Sequence, residues 1–224
     1  MEHGPGVRPM LSDLEANYVG TVYVKTYLQD VEKQHAKLAN LVGPGAMYAL
    51  TPGRGIVAHR EAGDIIHTYV EMSRSPEWVA SIDFSDRESA AARIAAEFEG
   101  WTPELTALIT HGDAPLVPRV LYALPGGHRW ARVTGVTLIG AAAHLAPPDG
   151  EGANWAMFDG AELGKAIVAQ PDNIKAALAA YEAEMFPRSA AAAKEARETL
   201  ELCLGERAPF GLIRLFTGAR GKEG

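Results

Sequence analysis

The sequence has a single cysteine, Cys203, and this scarcity excludes two kinds of structure. One thiol can form neither an internal disulfide framework nor a cysteine-based zinc site. Runs of basic residues are also missing, and 28 acidic against 21 basic side chains give a formal net charge of -7. Because nucleic acids and anionic membranes attract clustered positive charge, we expect neither as a partner.

Long apolar runs are absent as well. The longest, around residues 136–146, is too short and too broken to span a bilayer, and residues 1–9 lack the apolar core of a signal peptide. We therefore expect a cytoplasmic protein. No Gly-x-Ser-x-Gly occurs, which argues against the common serine hydrolases. No His-x-x-x-His or similar ligand spacing occurs either, so the sequence predicts no metal site.

The first half of the chain is rich in short β-type segments. Runs of β-branched and aromatic residues alternate with Gly/Pro turns, which are short enough to join antiparallel neighbours. A helix at Asp30–Val42 interrupts them and ends at Gly43. We expect a mostly antiparallel sheet with helices on one side. The predicted strands are Tyr18–Val24, Ala46–Leu50, Ile56–Arg60, Ile65–Met72 and Val79–Phe84.

The second half is mainly helical. A capping box at Ser85 and Glu88 predicts a helix that runs to Gly100, and Thr102 followed by Pro103 predicts the start of another. Two strands are expected at 119–124 and 136–140. From Asn154 onward the pattern predicts helices broken at Pro171 and Pro187, with a buried stripe made of Ile174, Leu178, Tyr181 and Met185.

The most informative segment runs from Gly140 to Asn154. Here a predicted strand leads into small residues, then Pro147-Pro148, then Gly150-Glu-Gly-Ala-Asn154 at the start of a helix. Glycines allow a planar ligand to approach the backbone closely, and the free N–H groups of the first helical turn can donate to a carbonyl or to developing negative charge. The segment therefore suits an electron-rich ring system.

This order of residues resembles a motif of the class A FAD-dependent monooxygenases, which include aromatic hydroxylases and tetracycline-inactivating enzymes. The resemblance implies that Pro147 lies beside the flavin ring and that residues 152–154 face its pyrimidine end. His144 also matches the motif and fits a structural role. No catalytic side chain is expected, because in this family the flavin performs the reaction. The implied cofactor-binding residues are Arg8, Gly140, Pro147, Gly150, Gly152, Ala153 and Asn154.

The resemblance also implies an activity and a domain organisation. The expected reaction is hydroxylation of an aromatic or polyketide-like small molecule with FAD, NAD(P)H and O2. The expected fold class is α+β, with a substrate-binding sheet domain and flanking helices at 1–130, a partial FAD-binding segment at 131–170 and C-terminal helices at 171–224. The family's sheet faces the substrate, so the candidate substrate-binding residues are His59, His67, Tyr69 and Pro118.

Two departures from the family pattern concern the cofactor. Ala141 stands where the family has an aspartate, and losing such a charge-assisted hydrogen bond costs about 1.5–3 kcal/mol. Moreover, no Gly-x-Gly-x-x-Gly follows an N-terminal strand; Gly53-Arg-Gly-Ile-Val-Ala58 leads into a β-run and predicts a hairpin turn. We therefore expect the isolated chain to bind FAD weakly or not at all, with a separate N-terminal half as a candidate partner.

Three functional hypotheses remain open at this point. The chain can be an incomplete or divergent FAD-dependent monooxygenase. It can be a flavin-free binding protein or pseudoenzyme, which Ala141 favours. It can also be a non-redox catalyst that reuses the substrate pocket. A shared fold does not distinguish them.

Overall fold

The β-rich runs of the first half form one sheet. The computed structural model describes residues 6–218. The strands are β1 (Asn17–Leu28), β2 (Ala46–Thr51), β3 (Arg54–Glu61), β4 (Ile65–Met72) and β5 (Val117–Ala123), and their order in the sheet is β2-β3-β4-β1-β5. The pairs β2–β3, β3–β4 and β1–β4 are antiparallel, which confirms the predicted sheet and the α+β class.

Short turns connect β2, β3 and β4, as predicted. Thr51 pairs with Arg54, so two residues close the first hairpin, and Gly53 adopts a φ of 76° that favours glycine. The Gly53–Ala58 segment is therefore a hairpin. In the second turn Asp64 has a φ of 60°, and its carboxylate accepts a hydrogen bond from Arg60 at 3.0 Å.

The helices between the strands differ from the predictions in three places. The helix expected at 30–42 is split at His35, whose φ of -133° separates α1 (Val31–Gln34) from α2 (Ala36–Val42). The strand predicted at Val79–Phe84 is wrong, because Ser75 caps a short helix, α3 (Pro76–Ala80), by accepting from the Trp78 N–H. The following helix, α4 (Arg87–Ala95), is capped by Asp86 and not by Ser85.

Later elements are mostly helical. After α5 (Pro103–Thr110), which begins at Pro103 as predicted, come α6 (Ala141–His144), α7 (Gly152–Ala169), α8 (Ile174–Leu204) and α9 (Phe210–Thr217). The strand predicted at Val136–Gly140 is wrong, since no strand within residues 6–218 pairs with it.

The predicted break at Pro171 is confirmed, but the break at Pro187 is wrong, because α8 continues through it. Buried Tyr181 and Met185 precede Pro187 in one hydrophobic cluster, and such packing can hold a helix despite the lost backbone hydrogen bond. Ile174, predicted to be buried, is exposed. No helix in the described part of the chain is both long and apolar enough to cross a membrane.

Backbone contacts divide the described residues into two units. The loop unit contains residues 6–19 and 122–200, and the sheet unit contains residues 20–121 and 201–218. The three-part division expected from the sequence stays a prediction. In the loop unit, Trp130 and Leu138 pack with Tyr181 and Met185.

In the sheet unit the two faces of the sheet differ. One face is apolar and fully buried, with Val22, Val24, Ile66 and Val70 at 0% exposure, and α2 and α5 contact this sheet. Of the two helices predicted to pack on one side, at 30–42 and 86–100, the first contributes α2 to these contacts, whereas the other contacting helix is α5. The opposite face, here called the aromatic face, carries the side chains that alternate with these, among them Tyr23, Lys25, Tyr27, Leu50, Val57, His59, Glu61, His67, Tyr69 and Glu71.

Two buried carboxylates connect segment 130–144 of the loop unit to the neighbouring helices. Asp159 on α7 accepts hydrogen bonds from the Gly140 N–H at 2.9 Å and from Arg188 at 2.9 Å, and lies 2.6 Å from His144 Nε2. Glu182 on α8 accepts from Trp130, Arg132 and Thr137 at 2.7–3.2 Å. Together they tie segment 130–144 to two helices, through one backbone N–H and several side chains.

A third buried carboxylate, Glu71, lies on the aromatic face. Burial raises the pKa of Glu71 to about 7, although a hydrogen bond with Tyr23 opposes the rise. One of its oxygens has no hydrogen-bond partner among the described residues. The protonated form is therefore favoured in the folded chain, because an ionised buried oxygen without a partner is poorly solvated.

Replacing Asp159 with alanine should destabilise the loop unit. The substitution leaves Arg188 without its buried counter-ion and the Gly140 N–H without an acceptor, and breaking such a pair costs about 3–5 kcal/mol. Urea unfolding measures the change. The exposed Asp172 is the matched control, and Asp172→Ala should change stability by less than about 0.5 kcal/mol. Equal effects of the two substitutions would contradict the assigned role of Asp159.

Glu71 should make stability fall as the pH rises. The folded chain keeps a proton on Glu71 that the unfolded chain releases near its ordinary pKa of 4.5, so the stabilisation is complete below that pH and is lost as the pH rises through about 7. Unfolding measured from about pH 4 to 9 should show a loss of up to about 3 kcal/mol. Glu71→Gln, which mimics the protonated acid, should remove this slope, whereas the exposed control Glu104→Gln should retain it.

Candidate functional site

The loop from Gly140 to Asn154 begins at a glycine that no other residue can replace without movement. Gly140 has a φ of 56°, and a Cβ added there would lie 2.8 Å from the Ala156 Cβ on α7. Both the backbone conformation and the close approach of the helix therefore require glycine. The single turn of α6 follows, and an irregular stretch then leads to α7 at Gly152, where the sequence predicted a helix start.

The start of α7 has free hydrogen-bond donors. The N–H groups in the first turn of any α-helix have no acceptor inside the helix. Within the described chain no side chain caps this end of α7 to replace it. Gly150, Gly152, Ala153 and Asn154 are exposed, and a Cβ added at either glycine would meet nothing within 4 Å. A flat ligand can therefore approach the backbone here, next to the positive end of an 18-residue helix.

Two of the other predicted residues have different environments. Pro147 is buried by the protein, whereas its neighbour Pro148 is exposed. The Asn154 side chain donates to the Glu151 carboxylate at 2.8 Å, which orients it across the first turn of α7. Their predicted contacts with a flavin stay predictions.

Arg8 is brought to the loop from the other end of the sequence. Its guanidinium donates to the Ala142 carbonyl at 2.9 Å and to the Ala141 carbonyl at 3.3 Å. Ala141, which occupies the family's aspartate position, is exposed. The structure thus places Arg8 beside the position where the family pattern and this sequence differ.

Asp159, on which the loop depends, is not among the residues predicted from the sequence. Asp159 is 1% exposed, and the hydrogen bonds from His144, the Gly140 N–H and Arg188 outweigh the effect of burial and hold the pKa of this carboxyl below its ordinary range. It therefore stays ionised and anchors His144, which agrees with a structural role for that histidine. The available signal was a lone carboxylate in the otherwise uncharged first half of a helix.

In the sheet unit, three of the four candidate substrate residues are neighbours. His59 and His67 face each other across β3 and β4, with ring centroids 5.1 Å apart, and Tyr69 lies 5.9 Å and 4.2 Å from the same two rings. Burial raises the pKa of Tyr69, so its phenol is protonated. Pro118 lies on β5, which β1 separates from β4. The fourth candidate is therefore two strands away.

Glu61 is a further residue that sequence analysis did not select. Its Oε1 atom lies 3.0 Å from His59 Nε2 and 2.9 Å from His67 Nδ1. Burial acts to raise the pKa of Glu61, but the two histidine contacts outweigh it and lower that pKa. Burial lowers the pKa of His67, against the opposing effect of Glu61. The arrangement is thus an ionised carboxylate between two imidazoles.

Comparisons with known proteins give partial sequence matches and a more extensive structural match. No family model matches the chain. The FAD-dependent urate hydroxylase of Mycolicibacterium vanbaalenii is 36% identical over 111 residues, which cover 49% of this chain and 28% of that protein. The enzyme of the same name from Klebsiella pneumoniae is 32% identical over 123 residues, which cover 54% and 32%. The matches thus span about a third of these relatives.

Solved structures match nearly the whole chain. Klebsiella pneumoniae HpxO complexed with FAD and uric acid has a TM-score of 0.74 at 21% identity, covering 95% of this chain and 52% of that one. A salicylate hydroxylase substrate complex has a TM-score of 0.71 at 19% identity, covering 92% and 54%. The chain therefore spans about half the length of these structures, and it has the fold of class A FAD-dependent monooxygenases, with a coverage that fits a C-terminal portion of one.

Proposed function

We propose that the chain is the substrate-binding and flavin-ring-facing part of an FAD-dependent monooxygenase that hydroxylates an aromatic small molecule. The observation that carries this proposal is the uncapped start of α7, flanked by exposed glycines, at the end of the family's loop motif. Its free N–H groups and open backbone fit the ring end of a flavin. A bound flavin would supply the redox chemistry, with NAD(P)H as the reductant and O2 as the source of the inserted oxygen atom.

The chain's own residues would bind and orient the ring. The N–H groups at 152–154 would donate to a ring carbonyl, and the positive end of α7 would favour negative charge on the reduced ring. Asp159 and Arg8 act indirectly, because their hydrogen bonds to the backbone at 140–142 hold the loop in one conformation before any ligand arrives. A preorganised loop loses little entropy on binding.

The aromatic face of the sheet is the candidate substrate surface. Tyr69, His67 and His59 form a group of flat rings. The Tyr69 phenol and the partly exposed His59 imidazole can hydrogen-bond to ring carbonyls and ring nitrogens, whereas His67 is 5% exposed and supports the other two rings. Two curated relatives are named urate hydroxylases, which favours a planar, electron-rich heteroaromatic substrate. Pro118 is retained as a fourth candidate at the other edge of the sheet.

The rest of the cofactor would need a second protein segment. The sequence offers no glycine turn for the pyrophosphate of FAD, and the solved structures of this fold are about twice as long as the chain. We propose that an N-terminal half, on the same or a separate polypeptide, supplies those contacts. The exposed apolar side chains Met157 and Val168 of α7 offer surface for it to cover.

A flavin-free binding protein is the second candidate function. Ala141 favours it, because this position lacks the carboxylate that the family pattern has. Such a protein would keep the aromatic face as a ligand surface without redox chemistry. Flavin binding distinguishes the two functions directly.

Titration with FAD, followed by flavin absorbance and fluorescence, tests the proposed cofactor site. The unmodified chain should bind FAD weakly, whereas Ala141→Asp should bind it more tightly by roughly ten- to hundredfold, since a charge-assisted hydrogen bond contributes about 1.5–3 kcal/mol. The matched control is Ala142→Asp, which adds the same charge at the adjacent exposed residue and should produce no gain.

Two results would overturn the expected pattern. Equal gains from Ala141→Asp and Ala142→Asp would mean that charge alone, and not an inherited contact, governs affinity. Absence of flavin binding to all three forms, even with an N-terminal half supplied, would exclude the monooxygenase and leave the binding protein. A gain confined to Ala141→Asp supports the loop as a flavin site.

A further inference from the structure

Three potential metal-ligating side chains meet at one edge of the aromatic face. His59 on β3 lies directly opposite His67 on β4, and Glu61 follows His59 by two residues, so its side chain points to the same face. One ligand atom from each of the three residues lies within 4.8 Å of the other two. The convergence depends on strand register, which explains why no short sequence spacing revealed it.

The contacts within this cluster resemble those of a metal site without its ion. A single oxygen, Glu61 Oε1, lies within 3.0 Å of a nitrogen from each imidazole. Hydrogen bonds of this kind use the same carboxylate oxygen and ring nitrogens that would ligate a cation. His67 is only 5% exposed, and its other ring nitrogen, Nε2, has no hydrogen-bond partner within the described chain, so the outer contact that usually orients a metal-bound histidine is missing there.

An ion would fit once the three ligand atoms, which lie within 4.8 Å of one another, adjust to equal separations. Ligand atoms about 2.1 Å from a tetrahedral Zn²⁺ lie about 3.4 Å from one another. The nitrogen–oxygen distances of 2.9 and 3.0 Å would therefore widen by roughly half an ångström. The side chains of Glu61 and His59 are 38% and 33% exposed, so rotation about their side-chain bonds can provide this.

The surroundings hold one ligand in place. Tyr27 stacks on the His67 ring with centroids 4.0 Å apart, and Tyr69 lies 4.2 Å away on the same face. Arg60, between the two β3 ligands in sequence, bonds to Glu32 and Asp64 and so directs its charge to the opposite face. The positive charge of the nearby Lys25 ammonium acts against cation binding, and it also contributes to lowering the pKa of His67.

We propose that His59, Glu61 and His67 bind a divalent transition-metal ion through two imidazoles and one carboxylate. This ligand set suits Zn²⁺ and its neighbours in the first transition row, and not Mg²⁺ or Ca²⁺, which prefer oxygen ligands. Three protein ligands leave a fourth position open to water or to an oxygen of a small molecule on the aromatic face. None of its ligands belongs to the loop proposed to face the flavin, and the proposal departs from the sequence-based expectation of no metal site.

Calorimetric titration of the untagged 224-residue chain with Zn²⁺, without flavin or substrate, tests this proposal. One ion should bind per chain. His59→Gln and Glu61→Gln should each weaken binding by at least about 100-fold, because loss of a direct ligand should exceed the 10- to 100-fold effect of losing an outer partner. The exposed His111, in the same unit, is the matched control, and His111→Gln should leave affinity within about twofold.

Absorption spectra with Co²⁺ give a second, variant-free test. Nitrogen and oxygen ligands should produce visible d–d bands without thiolate charge transfer, whereas a thiolate band would place the ion on Cys203 and overturn the proposal. Failure of the unmodified chain to bind Zn²⁺ would also overturn it, as would His59→Gln or Glu61→Gln binding Zn²⁺ as tightly as the unmodified chain. Circular dichroism of the metal-free variants checks that they are folded.

Discussion

The conformation of the candidate loop depends on one buried carboxylate. Asp159 joins the backbone of Gly140, the ring of His144 and the guanidinium of Arg188, and each partner comes from a different element. Without it, Gly140 would lose the acceptor that fixes its unusual backbone conformation, and α6 would lose its connection to α7. The first turn of α7 stays accessible because these contacts hold the preceding residues away from it. A charge pair at the core of the loop unit therefore sets the geometry of an exposed surface.

The sheet unit depends on a different constraint, the strict alternation of side chains along paired strands. The register that buries Ile66, Thr68 and Val70 under the helices necessarily presents His67, Tyr69 and Glu71 together on the other side. Polar and aromatic groups on this face are therefore fixed by the same pairing that forms the core. A shift of one residue would exchange the two sets and destroy both.

Elements whose structure is determined by local chemistry could be predicted from the sequence. The bounds of β4 follow from its β-branched residues and the adjoining Gly63 turn, and the starts of α5 and α7 follow from helix-start signals. Elements whose structure depends on residues remote in sequence could not be predicted. Residues 136–140 have the composition of a strand but no neighbouring strand within the described chain, and α8 passes through Pro187 because packing sustains it. The grouping of His59, Glu61 and His67 required the strand register, and Asp159 required knowledge of three partners remote in sequence.

Both units are discontinuous in sequence, and this has a consequence for synthesis on the ribosome. Leu202, Cys203 and Leu212 pack against Leu50, Val57 and Tyr69, which are translated about 150 residues earlier. The strands of the sheet unit can pair early, but that end of the aromatic face stays uncovered until almost the entire chain has emerged. From the emergence of β4 until that of α9, nascent chains thus carry an exposed, β-rich apolar patch, the kind of surface that chaperones bind and that promotes aggregation. Premature termination after α8 begins would leave the same patch permanently open.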